Sequence, residues 1–227
     1  MTGLSPTRSA LGRVLTLPGV YAPQSDSVLL ACAVRREGVR PGMELLDVGT
    51  GSGVLAVYAA RMGARVTAVD IGRRAVLTTR LNALLAHQHV TVRRSDLAAS
   101  LPGRSFDVVI SNPPYVPAPG RLPPCGGAAR AWDAGQDGRA LVDRICDTAP
   151  GLLRSRGVLL MVHSRLCDPA QTLLRLFGAG LRATVSDRTY VPFGPVIRGR
   201  LAWLRQRGLL GPYENEEELV VIRAEKP

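Results

Sequence analysis

Residues 106–110, Phe-Asp-Val-Val-Ile, form an apolar run that stops on Ser111-Asn112-Pro113-Pro114-Tyr115. A short, nearly continuous apolar stretch of this kind reads as a strand buried on both faces of a parallel sheet. Neither proline can donate to a sheet ladder, so the strand must end there in a stiff turn. The carboxyl end of a central strand is where open α/β sheets bind ligands. An amide, a ring and a rigid backbone at that place suit holding a flat NH2 group still. The run therefore points to methyl transfer onto a planar nitrogen.

The rest of the chain alternates strand and helix patterns, the signature of a parallel sheet covered on both faces. Strands are expected at 43–48, 65–69, 90–94, 106–111, 157–163, 182–188 and 218–224, with helices at 25–37, from 52, at 73–86, at 138–153 and from 168. Residues 1–18 read as a flexible tail and 19–227 as one domain, with a Pro- and Gly-rich loop from Tyr115 to about Gln136. Loops of that length in compact domains are usually functional or disordered. A segment from Arg188 to Tyr213 carries five arginines and no acid. Within it Ile197, Leu201 and Leu204 share one helical face, flanked by Arg198 and Arg205 on one side and Arg200 and Arg207 on the other.

A chain of 227 residues with 46% hydrophobic and 21% charged residues has the makeup of an ordinary globular domain. No apolar run reaches the length of a membrane span, and Arg8 and Arg13 precede no apolar signal region, so a cytoplasmic location is the expectation. The net charge of +11 suggests a polyanionic or acidic partner. The charge is almost all arginine, with Lys226 the only lysine, a skew that genome composition produces as readily as a binding surface. Cys32, Cys125, Cys146 and Cys167 stand apart without CxxC spacing, which indicates reduced thiols rather than a zinc site or redox pair. His87 and His89 lack a third ligand nearby and read as surface histidines, so no metal is expected.

Asp47-Val48-Gly49-Thr50-Gly51-Ser52-Gly53 lies where a strand turns into a helix, and glycines there permit close backbone approach to a ligand. Gly51, Gly53 and Ala56 also satisfy a permissive dinucleotide fingerprint, which keeps a nicotinamide dehydrogenase in view. The neighbouring acids favour another ligand. Asp47 would repel a pyrophosphate but suits a cationic amino-acid end. Asp70 ends a strand where ribose hydroxyls would bind, and Asp96 with Leu97 suits an adenine. S-adenosylmethionine carries a sulfonium, an ammonium and no phosphate, so a pocket of acids makes electrostatic sense for it.

These residues resemble the class I methyltransferases that carry an Asn-Pro-Pro-Tyr motif. Val20-Tyr21-Ala22-Pro23-Gln24-Ser25-Asp26-Ser27 and Ala131-Trp132-Asp133-Ala134-Gly135-Gln136-Asp137-Gly138-Arg139 are similar to runs of the HemK-like protein-glutamine N5-methyltransferases. The resemblance implies a seven-stranded Rossmann-like sheet with helices on both faces and an antiparallel last strand. It implies S-adenosylmethionine contacts from Tyr21, Asp47, Gly49, Thr50, Gly51, Gly53, Asp70, Ile71, Asp96, Leu97 and Asn112. Only about forty residues precede the first strand, so the chain looks like the short family members without the extra helical domain. Such members work with a small zinc-binding subunit on release-factor glutamine or, in some cases, protein lysine.

On this reading the Asn112 side-chain oxygen and the Pro113 carbonyl accept the hydrogens of the target NH2 and aim its nitrogen. Pro114 and Tyr115 would contact the flat substrate group. With the last strand antiparallel, Arg198, Arg200, Arg205 and Arg207 are expected to border the substrate entrance. Two other readings remain open at this point. The target could be adenine N6 or guanine N2 in nucleic acid, with Tyr115 stacking on the base. The chain could also be an idle cofactor-binding module that acts through a partner.

Overall fold

The computed structural model of the protein describes residues 11–227. Seven strands, β1 Glu44–Val48, β2 Arg65–Asp70, β3 Val90–Arg94, β4 Phe106–Ser111, β5 Leu153–Ser164, β6 Arg182–Pro192 and β7 Glu216–Glu225, join in the order β3-β2-β1-β4-β5-β7-β6. β7 runs antiparallel to β5 and β6, and the other pairings are parallel. The helices are α1 Ser25–Arg36, α2 Val54–Arg61, α3 Arg73–Leu85, α4 Ala140–Leu152, α5 Pro169–Gly178, α6 Pro195–Arg198 and α7 Leu201–Gln206. Among the described residues no helix is long and apolar enough to cross a membrane.

β4 sits between β1 and β5 and has no free edge. Its side chains alternate across the sheet. Val109 joins Leu46 and Leu159 in a core closed by Val142 and Ile145 of α4 and Leu176 of α5. Val108 and Ile110 join Leu45 and Leu160 in a second core closed by Leu30 and Val34 of α1 and Leu55 and Ala59 of α2. A strand packed on both faces needs apolar residues at every position, which is why 108–110 carries no polar alternation.

Besides β6, which runs on to Pro192 where the sequence expectation ends at Arg188, three segments differ. β5 begins at Leu153, because Phe106 pairs with Leu153 before the register shifts towards Val108. Gly157 lies in this bulge, where a Cβ would come within 2.9 Å of the Arg154 and Phe106 carbonyl oxygens. The glycine marks a close backbone approach inside the strand, not its start. Part of the expected tail is packed on the domain. Residues 1–10 lie outside the described ones, whereas Leu11 is buried and the Leu15 backbone exchanges hydrogen bonds of 2.8 and 2.9 Å with the Asn82 side chain of α3. The third is the arginine-rich segment, which breaks at Gly199-Arg200 into α6 and α7, with Ile197 and Leu204 buried in the α4/α5-side core.

Leu204 is fully buried. Leu204→Ala is expected to cost about 2–5 kcal/mol of unfolding free energy, read from chemical denaturation. A cost below about 0.5 kcal/mol would mean that this segment does not dock on the core.

Candidate functional site

The strand order turns back between β1 and β4, and a cleft of about 910 Å³ opens there at the carboxyl ends of β1 to β4. Crevices at such points are where doubly wound sheets take ligands, and the volume lies in the range of small-molecule sites.

The β1–α2 turn forms one wall. Gly49, Gly51 and Gly53 have φ of +74°, +56° and +79°, a region that costs side-chain-bearing residues strain. The Gly49 and Thr50 amides donate to the Val69 carbonyl at 2.9 and 3.0 Å, which pins the turn to β2. A Cβ on Gly49 would meet nothing within 4 Å, so this backbone faces the open cleft. Gly53 has a different task. A Cβ there would lie 2.6 Å from Thr79 Cγ2, so this glycine lets α2 pack on α3, and it does not line the cleft.

Acids line the floor. Asp47 is 1% exposed and accepts a 2.7 Å hydrogen bond from Thr50 Oγ1. Burial pushes its carboxyl up to about 7; the Thr50 bond opposes the rise and nearby Asp70 adds to it. Asp70 accepts from the Gly51 and Gly72 amides at 3.0 and 2.7 Å, and burial raises its carboxyl as well. Asp96 is half exposed and pairs with Arg144 of α4 at 2.9 Å. Ile71 and Leu97 supply apolar wall between these acids. Asp47, buried with no ion-pair partner among the described residues, favours its neutral form, so this part of the floor is suited to a positively charged guest.

The β4 terminus forms the opposite wall through Asn112, Pro113, Pro114 and Tyr115. Tyr115 is nearly buried, and its hydroxyl donates to Asp26 Oδ2 at 3.1 Å. Tyr21 donates to the same oxygen at 2.8 Å. Burial, with the Asp26 charge adding to it, holds the Tyr115 phenol well above its ordinary range. Asn112 Nδ2 donates to Ser27 Oγ at 3.5 Å. From behind, Cys167 Sγ donates to the Tyr115 carbonyl at 2.8 Å, and a Cβ on Gly138 would collide with that carbonyl at 2.4 Å.

The Pro- and Gly-rich loop folds over the cleft. Its two ends are tied by Val116 N to Trp132 O at 2.8 Å, Ala134 N to Val116 O at 3.1 Å and Ala118 N to Gly135 O at 2.9 Å. Between these ties, Pro123, Cys125, Arg130 and Trp132 line the opening.

None of the four expected rim arginines lines the cleft. Arg200 pairs with Asp133 at 2.6 Å and donates to the Pro117 carbonyl at 3.1 Å, so it braces the loop base. Arg205 reaches the Glu214 carbonyl at 3.3 Å. Burial of Ile197 and Leu204 sets how α6 and α7 dock, and the arginine flanks follow from that docking. Conversely, Asp26, Ser27, Arg130, Trp132 and Arg144 all line the cleft and were not among the expected site residues. Asp26 had a signal: it and Glu37 are the only acids before β1, and it sits in the run shared with Tyr21.

A model of the methyltransferase small domain matches residues 12–120. The putative protein N5-glutamine methyltransferase of Methanocaldococcus jannaschii is 32% identical over 177 residues, 78% of this chain and 88% of that protein. Methyltransferase HEMK2 of Mus musculus is 33% identical over 175 residues, 74% of this chain and 82% of that protein. Among solved structures, the E. cuniculi Mtq2–Trm112 complex, described as responsible for methylating the eRF1 translation termination factor, is similar in fold. It superposes with a TM-score of 0.64 at 24% identity, covering 92% of this chain and 99% of that one.

Asp47 yields a stability prediction. Its folded value of about 7 lies above the unfolded one, so the stability of the protonated acid is present below about pH 4 and lost as pH rises through 7. Asp47→Asn is expected to remove this loss, raising stability at pH 8 by up to about 4 kcal/mol and narrowing the gap towards pH 4. Thermal melts across that range check it; a lower Tm for the variant at pH 8 would contradict the assignment.

Proposed function

The chain belongs to the HemK-like methyltransferases, and from that premise we propose that it methylates the side-chain amide nitrogen of a protein glutamine, in a translation release factor or a related protein. The observation that carries the reading is the Asn112 carboxamide on a proline-stiffened turn in the wall of an acid-floored cleft. The named substrates of the relatives support glutamine as the acceptor.

The residues present fit S-adenosylmethionine. Gly49 leaves backbone facing open space, Asp47 is buried with no cation bonded to it among the described residues, and Asp70 ends β2 with both oxygens turned towards glycine amides. In the proposed arrangement Tyr21, Asp47, Gly49, Thr50 and Gly51 hold the amino-acid end. Asp70 and Ile71 hold the ribose, Asp96 and Leu97 hold the adenine, and Asn112 closes the site from the β4 side. When bound, the cofactor would supply the methyl group and leave as S-adenosylhomocysteine, the S–CH3 bond breaking as the N–CH3 bond forms and the proton given up by the nitrogen passing to solvent.

The chain's own task is orientation. An amide nitrogen is a poor nucleophile because its lone pair is delocalised into the carbonyl. Asn112 Oδ1 and the Pro113 carbonyl accept its two hydrogens, which turns the nitrogen face towards the methyl donor. Two acceptors on a rigid turn hold a near-attack geometry without reorganisation, and such positioning supplies much of a barrier reduction. Pro114 and the Tyr115 ring bound the flat group. The Tyr115 hydroxyl is committed to Asp26, so its contribution is shape rather than proton transfer. The fold likeness to the Mtq2–Trm112 complex supports a small activating subunit as a further part of the proposal, and the reading places the chain in the cytoplasm with the translation machinery.

Asn112→Ala is expected to lower turnover by about 100-fold or more while leaving S-adenosylmethionine affinity within about threefold. Wild-type turnover in this variant would contradict the reading. Cofactor affinity is expected to weaken below pH 7, by up to about tenfold per unit, as Asp47 takes up a proton. Calorimetry across pH 5.5–8 checks this; a flat profile, or the same slope in Asp47→Asn, would remove Asp47 as the group responsible.

A further inference from the structure

We propose that Asp26 and Ser27 are positioning residues that fix which way the Asn112 carboxamide faces, so that its oxygen and not its nitrogen is presented to the substrate amide. The inference rests on the proposed glutamine reading and deepens it.

A carboxamide is nearly symmetric in shape, and turning it over exchanges a hydrogen-bond acceptor for a donor. In the proposed orientation Asn112 must offer Oδ1 to the substrate N–H. Turned over, it would offer its own NH2, and two donors would face each other. Neither the prolines nor the sheet distinguishes the two states, so something must bond one end of the amide selectively.

The bonds that do so run in one direction. Asp26 is 2% exposed and lies in the first turn of α1. Its Oδ2 accepts from the Tyr21 and Tyr115 hydroxyls at 2.8 and 3.1 Å. Its Oδ1 accepts from the Ser27 amide at 2.5 Å and from Ser27 Oγ at 3.1 Å. Four donors converge on one carboxylate, which only accepts. Tyr115 remains protonated in this setting, since burial and the Asp26 charge both hold its phenol up.

Ser27 has a single hydroxyl hydrogen, and Asp26 takes it. Ser27 Oγ then has only lone pairs for Asn112, and an acceptor selects Nδ2. The Asn112 Nδ2 to Ser27 Oγ separation of 3.5 Å is long for an N–H···O bond. Hydrogen bonds of this kind commonly tighten when a site is filled. The polarity passes from carboxylate to hydroxyl to amide and leaves Oδ1 as the free end. Because Tyr21 and Tyr115 join the same carboxylate, the joint also fastens the 20–27 lead-in to the β4 turn. It therefore ties one part of the cleft wall to the residue that orients the substrate.

The test uses the full chain with S-adenosylhomocysteine bound, comparing wild type, Ser27→Ala, Ser27→Thr, Asp26→Asn and Asn112→Ala. The Asn112 side-chain NH2 resonances are assigned by their loss in Asn112→Ala. The inference expects these protons to be slow to exchange in wild type and Ser27→Thr, and about tenfold faster in Ser27→Ala. With the purified release factor of the same organism as acceptor, kcat is expected to fall about 10- to 100-fold in Ser27→Ala. Ser27→Thr should restore it to within about threefold, with the cofactor Kd steady across all three. Asp26→Asn places an NH2 against the Ser27 hydroxyl and is expected to lower kcat as Ser27→Ala does.

Wild-type exchange and kcat in Ser27→Ala would overturn the inference. So would a loss confined to the cofactor Kd and shared by Ser27→Thr. If Asn112→Ala is inactive while Ser27→Ala is not, the inference fails and the glutamine reading stands. If Asn112→Ala turns over normally, the glutamine reading itself falls.

Discussion

β4 is bonded to β1 on one side and β5 on the other, packed on both faces, and followed at once by an amide and two prolines. Burial fixes the strand, and the missing proline donors forbid its continuation, so the chain must leave the sheet there along one stiff path. The other site elements are arranged around that exit. α1 is placed so that Asp26 meets Tyr115, Gly138 and Cys167 press on the Tyr115 carbonyl, and the following loop returns to pair with Val116. A transferase for a weakly nucleophilic nitrogen needs this kind of rigidity, because its main resource is orientation.

The site opposes the stability of the fold that carries it. Asp47 and Asp70 are drawn from water and their carboxyls raised by burial, with only the charge of Arg130 offsetting part of the rise at Asp70, and no arginine or lysine forms an ion pair with either among the described residues. Backbone amides and a hydroxyl satisfy them instead. An arginine held against Asp47 would neutralise it and also fill the place of a cationic guest. Elsewhere arginine is used structurally. Arg139 is buried and bonds Asp143, Thr172 and the Cys167 carbonyl, joining α4 to the β5–α5 turn. The basic composition therefore reports on construction at several places where it suggests binding.

Much of the architecture was legible because it depends on local pattern. Short runs rich in Leu, Val and Ile at 43–48, 65–69 and 106–111 read as buried strands, and the strand-end acids with Gly49 and Gly51 mark the cleft by their register. Structure and sequence expectation part where a residue answers to a distant partner. Gly157 permits a bulge against Phe106, and Gly53 admits Thr79. Arg200 lies on a helical flank by spacing, but its partners are Asp133 and the Pro117 carbonyl. Asp26 is separated from Tyr115 by 89 positions, so periodicity gives no sign of their bond. Local composition also leaves the amide of Asn112 without a direction, which only the Ser27 and Asp26 contacts supply.

All of this rests on the acceptor being a planar amide nitrogen on a protein. The most direct measurement supplies the purified enzyme with methyl-labelled S-adenosylmethionine and a lysate lacking its own copy of the chain. Label is then divided by protease and nuclease treatment, and the modified peptide is fragmented. Label is expected to be released only by protease, with the methyl on a glutamine side-chain nitrogen. Label released only by nuclease, or a methyl on lysine, would contradict it.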